Sequence, residues 1–192
     1  MWMGLKLTTP PTSEPVSLAE VKAHLRIDGD SEDTYLGTLI AAAREDCEAF
    51  QNRAYVTQTW ELTLDKWPQF PVKLPMSPLI NATSIKYYDT ANVETTWDAS
   101  NYFVDTDSEP GRIDLAYNIS LPTTTLRPIN GVKILFVAGY GDSVDVPQAT
   151  KQAMLLLIGH YYENREATSD KKMEELPMAV SSLLWKNRLV PI

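Results

Sequence analysis

The sequence predicts an α+β protein in which a small antiparallel β domain is inserted into a helical bundle. Apolar residues recur at helical spacing up to residue 53, alternate with polar residues from Tyr55, and return to helical spacing at Pro147. The bundle then consists of an N-terminal helical hairpin and C-terminal helices. The predicted domains are a discontinuous helical domain, residues 1–54 and 145–192, and an inserted β-rich domain, residues 55–144.

The N-terminal hairpin is predicted from a strong helix start. Ser17-Leu-Ala-Glu20 is a capping box, in which serine and glutamate side chains satisfy free backbone amides. An acidic loop at 28–33 separates this helix, residues 18–26, from a second over about 32–53. The apolar residues of the second helix have helical spacing: Leu36, Leu39, Ile40, Ala43, Cys47 and Phe50.

The inserted domain is predicted from alternation. Trp60, Leu62 and Leu64 face one way while the threonines and glutamate between them face the other, as in a half-buried strand. Prolines at 68, 71, 75 and 78 limit strands there to short or edge pieces. Several short strands of this kind favour a small antiparallel sheet or barrel-like unit. Further predicted strands are 84–88, 93–97, 102–105, 112–115 and 132–138.

The segment from Pro147 to Glu166 predicts a helix that is apolar around much of its circumference. Such a helix must be buried on more than one side, which suggests neighbours beyond its own small domain. It ends in the run Tyr161-Tyr-Glu-Asn-Arg-Glu166, and a short helix from about 177 to 185 follows.

The charge pattern argues against tight nucleic-acid binding. The net charge is −8, and lysine and arginine never form the stripe that phosphate neutralisation needs. DNA could still pass such an acidic surface without adhering. No apolar run approaches the roughly 20 residues of a membrane span, so we expect no membrane partner. The single cysteine, Cys47, excludes an intrachain disulfide and is interpreted as a buried thiol.

No catalytic, metal or cofactor site is expected. The acidic segments that start at Asp28 and Asp105 fail the calcium-loop pattern, since the sixth-position glycine and twelfth-position glutamate are missing. His24 and His160 fall on different helices without a second ligand at a metal spacing. The run Gly139-Tyr-Gly-Asp-Ser143 matches no phosphate-binding or nucleophile pattern and is interpreted as a turn.

Aromatic residues leave another class of function open. A carbohydrate- or peptide-binding module could carry an aromatic platform on the inserted sheet, and such a protein is expected to be monomeric. An enzyme of unrecognised mechanism would need a concave site with perturbed carboxylates. The aromatic residues concerned are Trp60, Trp67, Trp97, Tyr87, Tyr88 and Tyr102.

The order and spacing of several segments carry a resemblance to one family. They are 15–26 with its acidic loop, 39–45, Thr59-Trp60, Leu74-Pro75, 84–89, 110–113, 138–141, Val146-Pro147, 151–153, 161–166 and Leu183-Leu184. In this order they resemble the head–tail connector (adaptor, or head-completion) proteins of long-tailed phages, also found in prophages and gene-transfer agents. The turn at 89–92 departs from the family, since Thr-Ala-Asn stands where a glycine is expected.

The resemblance implies a non-enzymatic subunit of a homo-oligomeric ring, twelve-fold in the virion, beneath the portal protein. Such a ring completes the DNA-filled head and offers a surface to the tail or tail-completion protein. DNA passes its channel without sequence-specific binding, and assembly takes place in the host cytoplasm. The candidate interface residues are Tyr161, Tyr162, Arg165 and Glu166, because aromatic residues and arginine often anchor contacts. The alternative is that Tyr161 is core and Arg165 pairs within its own helix.

Overall fold

The computed structural model describes residues 3–165 and 177–190, which belong to two compact units. The sheet unit comprises Met1–Pro11 and Thr57–Tyr140, and the helical unit comprises Thr12–Val56 and Gly141–Ile192. Antiparallel sheets and α-helices are therefore segregated, which confirms the α+β class.

The sheet unit contains two antiparallel sheets in the described residues. The strands are β1 Met3–Thr9, β2 Gln58–Leu64, β3 Val72–Lys73, β4 Leu79–Tyr88, β5 Glu94–Trp97, β6 Tyr102–Asp105, β7 Arg112–Leu115 and β8 Val132–Ala138. The larger sheet has the order β1-β2-β8-β4-β5 and the smaller one β3-β7-β6. Strand β8 buries every second residue, Val132, Ile134, Phe136 and Ala138, in keeping with the two-residue period of side chains along a strand.

The first strand was not predicted, and it changes the expected domain composition. β1 pairs antiparallel with β2, so that Leu5 lies opposite Leu62 and Leu7 opposite Trp60. Residues 1–11 therefore belong with the sheet and not with the helices of the predicted 1–54 segment. The period-two spacing of Met3, Leu5 and Leu7 suits a strand, and these seven residues pair along β2 at the edge of the sheet.

The helical unit is built from four helices in the described residues. They are α1 Leu18–Leu25, α2 Asp33–Gln51, α3 Gln148–Glu163 and α4 Met178–Trp185. The capping box before α1 is confirmed, because the Glu20 amide donates to Ser17 Oγ at 3.2 Å and the Ser17 amide donates to Glu20 Oε2 at 2.7 Å. Helix α2 ends at Asn52, which takes up left-handed backbone angles (φ +56°).

Helix α3 finds its burial inside its own unit. Ala153, Met154, Leu157 and Ile158 are buried, and α3 packs against α1, α2 and α4. Only the flanks of the apolar stripe, such as Leu155 and Leu156, stay half-buried. The apolar circumference of α3 is therefore largely covered by three helices of the same chain, and it does not by itself require a neighbouring molecule.

Candidate protein interaction site

The end of α3 is joined to the beginning of α2 through a single carboxylate. Tyr162 Oη donates to Glu32 Oε2 at 2.5 Å, and Arg165 Nη2 donates to Glu32 Oε1 at 2.6 Å. The hydrogen bond from Tyr162, followed by that from Arg165, lowers the pKa of Glu32. The same hydrogen bond raises the pKa of Tyr162. Two donors thus hold the residue that precedes α2.

Arg165 also stacks on aromatic rings. Its guanidinium carbon lies 4.7 Å from the ring centre of Tyr35 and 4.6 Å from that of Tyr162, and the two rings are 6.4 Å apart. About half of the Arg165 side chain remains exposed. Its ion pair reaches Glu32, the residue before α2, so Arg165 does not pair only within its own helical segment.

Tyr161 points to another part of α2. Its hydroxyl donates to Asp46 Oδ2 at 2.5 Å, and the ring is half-buried. Burial first, and then the Asp46 carboxylate, raises the pKa of Tyr161. Among the candidate interface residues, the structure brings Tyr162 and Arg165 together and directs Tyr161 elsewhere. Glu166 lies outside the described residues.

The loop between α1 and α2 exposes two carboxylates. Lys22 forms an ion pair with Asp33 and the α3 residues hold Glu32, so the α2 side of the loop is fixed. Asp28 and Asp30 are exposed, and their side chains form no ion pair or hydrogen bond with the described part of the chain. Between them, Gly29 adopts φ +83°, and nothing lies within 4 Å of where its Cβ would be. We call residues 28–30 the acidic loop.

The other end of α2 holds the chain that follows α4. Gln51 Nε2 donates to the Leu184 carbonyl oxygen at 2.6 Å, and Arg53 Nε donates to that of Asn187 at 2.5 Å. Asn52 Nδ2 donates to the Leu189 carbonyl oxygen at 2.8 Å, and the Leu189 amide donates back to Gln51 at 3.0 Å. Four hydrogen bonds thus hold residues 184–189 against the end of α2.

These hydrogen bonds support an aromatic and cationic surface on which Trp185 is exposed and Phe50 and Arg188 are half-buried. Phe50 and Trp185 meet edge to face with ring centres 5.9 Å apart, and Trp185 is 56% exposed. The guanidinium carbon of Arg188 lies 4.6 Å from the Phe50 ring centre and 4.7 Å from that of Trp185. We call Phe50, Trp185 and Arg188 the aromatic–arginine cluster. Sequence reasoning missed it, although Trp185 and Arg188 stand three residues apart at a helix end, a spacing that brings side chains together.

A groove of about 410 Å³ lies between α1, α3 and α4. Both histidines line it, His24 from α1 and His160 from α3. His24 approaches α3 closely at Gly159, where a Cβ atom would lie 3.8 Å from His24 Nε2 and 3.5 Å from Leu25 Cδ2. Within the described residues, no three histidine, cysteine or acidic side chains are grouped so as to hold a metal ion. The groove lining is His24, Leu25, Arg26, Leu156, Gly159, His160, Glu163, Pro177, Ala179 and Val180.

Most of the aromatic residues named above for a binding platform are packed against other side chains. Trp97 is 6% exposed and packs against Trp67, Phe70 and Tyr102, with ring centres 5.1 to 6.2 Å apart. Tyr88 is covered by Arg127, whose guanidinium carbon lies 3.8 Å from its ring centre. These rings thus mainly pack against one another, and the binding-module alternative is not favoured.

Three further sequence expectations concern the cysteine, the glycine run and membrane-spanning helices. Cys47 is fully buried, and burial, followed by Asp46 and Glu48, raises its pKa to about 12. The glycine run is a turn, as predicted, with Gly141 at φ +124°. Within residues 3–165 and 177–190, no helix combines the length and apolarity of a membrane span.

Comparison with known proteins adds independent findings. Residues 15–110 match the model of a family described as phage gp6-like head–tail connector protein. No curated protein matches the sequence significantly.

Solved structures match over the full chain. A chain from the neck of an empty GTA particle, computed with C6 symmetry, has a TM-score of 0.82 at 28% identity, over 98% of this chain and 97% of that one. A chain from the virion of a native gene transfer agent (GTA) particle has a TM-score of 0.79 at 27% identity, over 98% of this chain and 96% of that one. A chain from the neck of a native GTA particle, computed with C12 symmetry, has a TM-score of 0.73 at 27% identity, over 100% of this chain and 97% of that one.

Proposed function

The chain belongs to the family of phage gp6-like head–tail connector proteins, and we propose that it forms a ring beneath the portal protein of a DNA-filled head. In this proposal the ring completes the head and offers the attachment surface to the tail or to a tail-completion protein. It acts by shape and burial, without a catalytic step or a cofactor. Its place is the head–tail junction of the virion, after assembly in the host cytoplasm.

The observation that carries the proposal is the full-length likeness to a neck chain, with a TM-score of 0.82. Because the likeness covers 98% of this chain and 97% of that chain, both units have counterparts in a particle neck. The related necks were computed with six-fold and twelve-fold symmetry, which supports a ring of twelve copies here.

The charge of the chain supports a channel role. At −8, with no stripe of lysine and arginine, the protein offers DNA no adhesive track. We propose that DNA passes through the ring without sequence-specific contacts.

We also propose that Tyr161, Tyr162 and Arg165 lie at a contact with a neighbouring copy or partner, together with Glu166. Support comes from the half-exposed Arg165 side chain, which the Tyr35 and Tyr162 rings and Glu32 already hold in one position. A side chain held in this way loses little conformational entropy when a partner binds.

The experiment that tests the function combines deletion with reconstitution. Deletion of the gene should leave DNA-filled heads without tails, visible by negative-stain electron microscopy. Purified protein mixed with portal complexes should form rings on them. Normal tailed particles from the deletion strain, or a chain that stays monomeric at high concentration beside portal complexes, would contradict the proposal.

The contact residues need a separate variant. Arg165→Ala should weaken ring formation while changing the free energy of unfolding only slightly, since surface ion pairs contribute little. Lys6→Ala, an exposed cation of the sheet unit, serves as the matched control. Unchanged ring formation by Arg165→Ala would remove the contact assignment and leave the connector assignment in place.

A further inference from the structure

The two ends of helix α2 carry surfaces of opposite charge. The acidic loop, with Asp28 and Asp30, precedes α2, and the aromatic–arginine cluster adjoins its last turn through Phe50. The 19 residues of α2 rise 1.5 Å each, so the two surfaces are roughly 27 Å apart. One rigid element thus presents an anionic surface at one end and a cationic surface at the other.

The cationic surface is preorganised. The Arg188 guanidinium is stacked on Phe50 and Trp185, and it has no carboxylate partner among the described residues. Its Nε atom is buried and donates no hydrogen bond to the described chain. Lys186, next to Trp185, is exposed. Tryptophan and arginine in this arrangement are the residue types that most often dominate binding energy at protein interfaces.

The acidic loop leaves two carboxylates available to a partner. Glu32 is held by Tyr162 and Arg165, and Asp33 by Lys22, so the carboxylates nearest α2 are already neutralised. Asp28 and Asp30 keep their full acceptor capacity. Two exposed carboxylates are a suitable partner for one guanidinium and one ammonium group.

We propose that Arg188 and Lys186 of one copy bind Asp28 and Asp30 of the next copy in the ring. This proposal rests on the proposed function, because the ring supplies the neighbouring copy. Different surfaces at the two ends of α2 make the contact heterologous, which is the type of contact that closes into rings. Trp185 covers the ion pairs from water and strengthens them.

Complementary charge favours a protein partner over DNA at this surface. Two cations are far fewer than the stripe needed for binding to a phosphate backbone, and the rest of the chain repels it. A second copy offers two exposed carboxylates, one for each of the two cations.

The test uses charge reversal in full-length chains. The cation-reversed variant is K186E/R188E, and the acid-reversed variant is D28K/D30K. Each variant alone brings like charges together, so ring formation on portal complexes should weaken roughly tenfold or more. An equal mixture restores opposite charges at every contact, in rings that alternate the two variants. Native mass spectrometry should show these mixed rings.

Controls separate this contact from folding and from the ring itself. K6E/K73E reverses two exposed cations of the sheet unit and should assemble as the wild type does. Since R188E also removes the stacking on Phe50, Lys186→Glu alone provides a variant that keeps the cluster, and it should weaken assembly in low salt. Circular dichroism and urea unfolding verify that each variant is folded.

Several outcomes would overturn the contact. Reversed variants that assemble normally, or a mixture that fails to recover rings, would disprove this pairing while the connector role stands. Salt-dependent binding of duplex DNA that K186E/R188E loses and that the wild type and D28K/D30K both show would assign Arg188 and Lys186 to DNA instead. A wild-type chain that forms no ring even on portal complexes would contradict the proposed function itself.

Discussion

The side-chain amide of Gln51 donates a 2.6 Å hydrogen bond to the backbone carbonyl oxygen of Leu184, joining residues 133 positions apart. The oxygen of the same amide accepts a 2.6 Å hydrogen bond from the buried hydroxyl of Tyr55. Gln51 is 1% exposed. One buried amide therefore uses both its donor and its acceptor to hold α4 and the chain that follows α2.

Replacing Gln51 with alanine should destabilise the chain by about 1–3 kcal/mol, because the Leu184 carbonyl and the Tyr55 hydroxyl each lose a buried hydrogen bond. Urea unfolding followed by circular dichroism measures the change. Gln152→Ala, an exposed glutamine of α3, should change stability by less than about 0.5 kcal/mol. Equal effects of the two substitutions would show that the buried amide is not stabilising.

Leu157→Ala should cost about 2–5 kcal/mol, since Leu157 is fully buried among α-helices of its own unit and truncation leaves a cavity. Leu155→Ala, on the half-buried flank of the same helix, should cost clearly less. Thermal and urea unfolding of the monomer provide both values. If the order is reversed, α3 faces away from its own bundle.

Acid should remove a stabilising interaction at Glu32. Its pKa is lowered from the ordinary value of 4.5, chiefly by the hydrogen bond from Tyr162 and next by that from Arg165. A lowered folded-state pKa means that the stabilisation is fully present above about pH 4.5 and is lost as the pH falls through the folded value. Urea unfolding between pH 7 and pH 3 should therefore show a smaller loss of stability in Glu32→Gln than in the wild type.

The matched control for this pH series is Glu163→Gln, because the exposed Glu163 carboxylate accepts no hydrogen bond from the described residues. Its profile should follow that of the wild type. Some acid sensitivity should persist in every variant, since hydrogen bonds also lower the pKa of Glu20, Glu94 and Asp105. Identical profiles for Glu32→Gln and the wild type would argue against the Tyr162–Glu32 bond.

Cys47 should resist thiol reagents in the folded chain. It is fully buried, and its pKa of about 12 leaves almost no thiolate at pH 8. A chromogenic disulfide reagent should react with the native protein slowly and with the urea-unfolded protein rapidly, at one equivalent per chain. Rapid reaction under native conditions would show that α2 opens frequently around this residue.

Local signals account for what could be predicted from the sequence. The capping box at Ser17 located α1, and the strand predicted over 132–138 matched β8 residue for residue. The predicted helix 32–53 differs from α2 by one residue at its start and two at its end, and the predicted helix 177–185 differs from α4 by one residue at its start. The first half of β4 was missed, since Pro75 and Pro78 argued against a strand beginning at Leu79.

Tertiary contacts explain what the sequence could not reveal. β1 is short and contains Gly4, and only its pairing with β2 identifies it as a strand. The adjacency of Tyr161, Tyr162 and Arg165 indicated a cluster, but their partners Asp46 and Glu32 lie more than a hundred positions away. The aromatic–arginine cluster likewise depends on how α4 packs against the end of α2.

The position of β1 has a consequence for synthesis. Because residues 1–11 and 57–140 form one unit and 12–56 and 141–192 the other, the chain passes between units three times, and neither is a continuous segment. During translation β1 has no partner strand until residues 58–64 have been synthesised. The hydrogen bonds of Gln51, Asn52 and Arg53 can form only after residues 184–189 have been synthesised. Folding of the helical unit can therefore be completed only after residues 184–189 have been synthesised, and removal of residues 183–192 should impair the end of α2 as well.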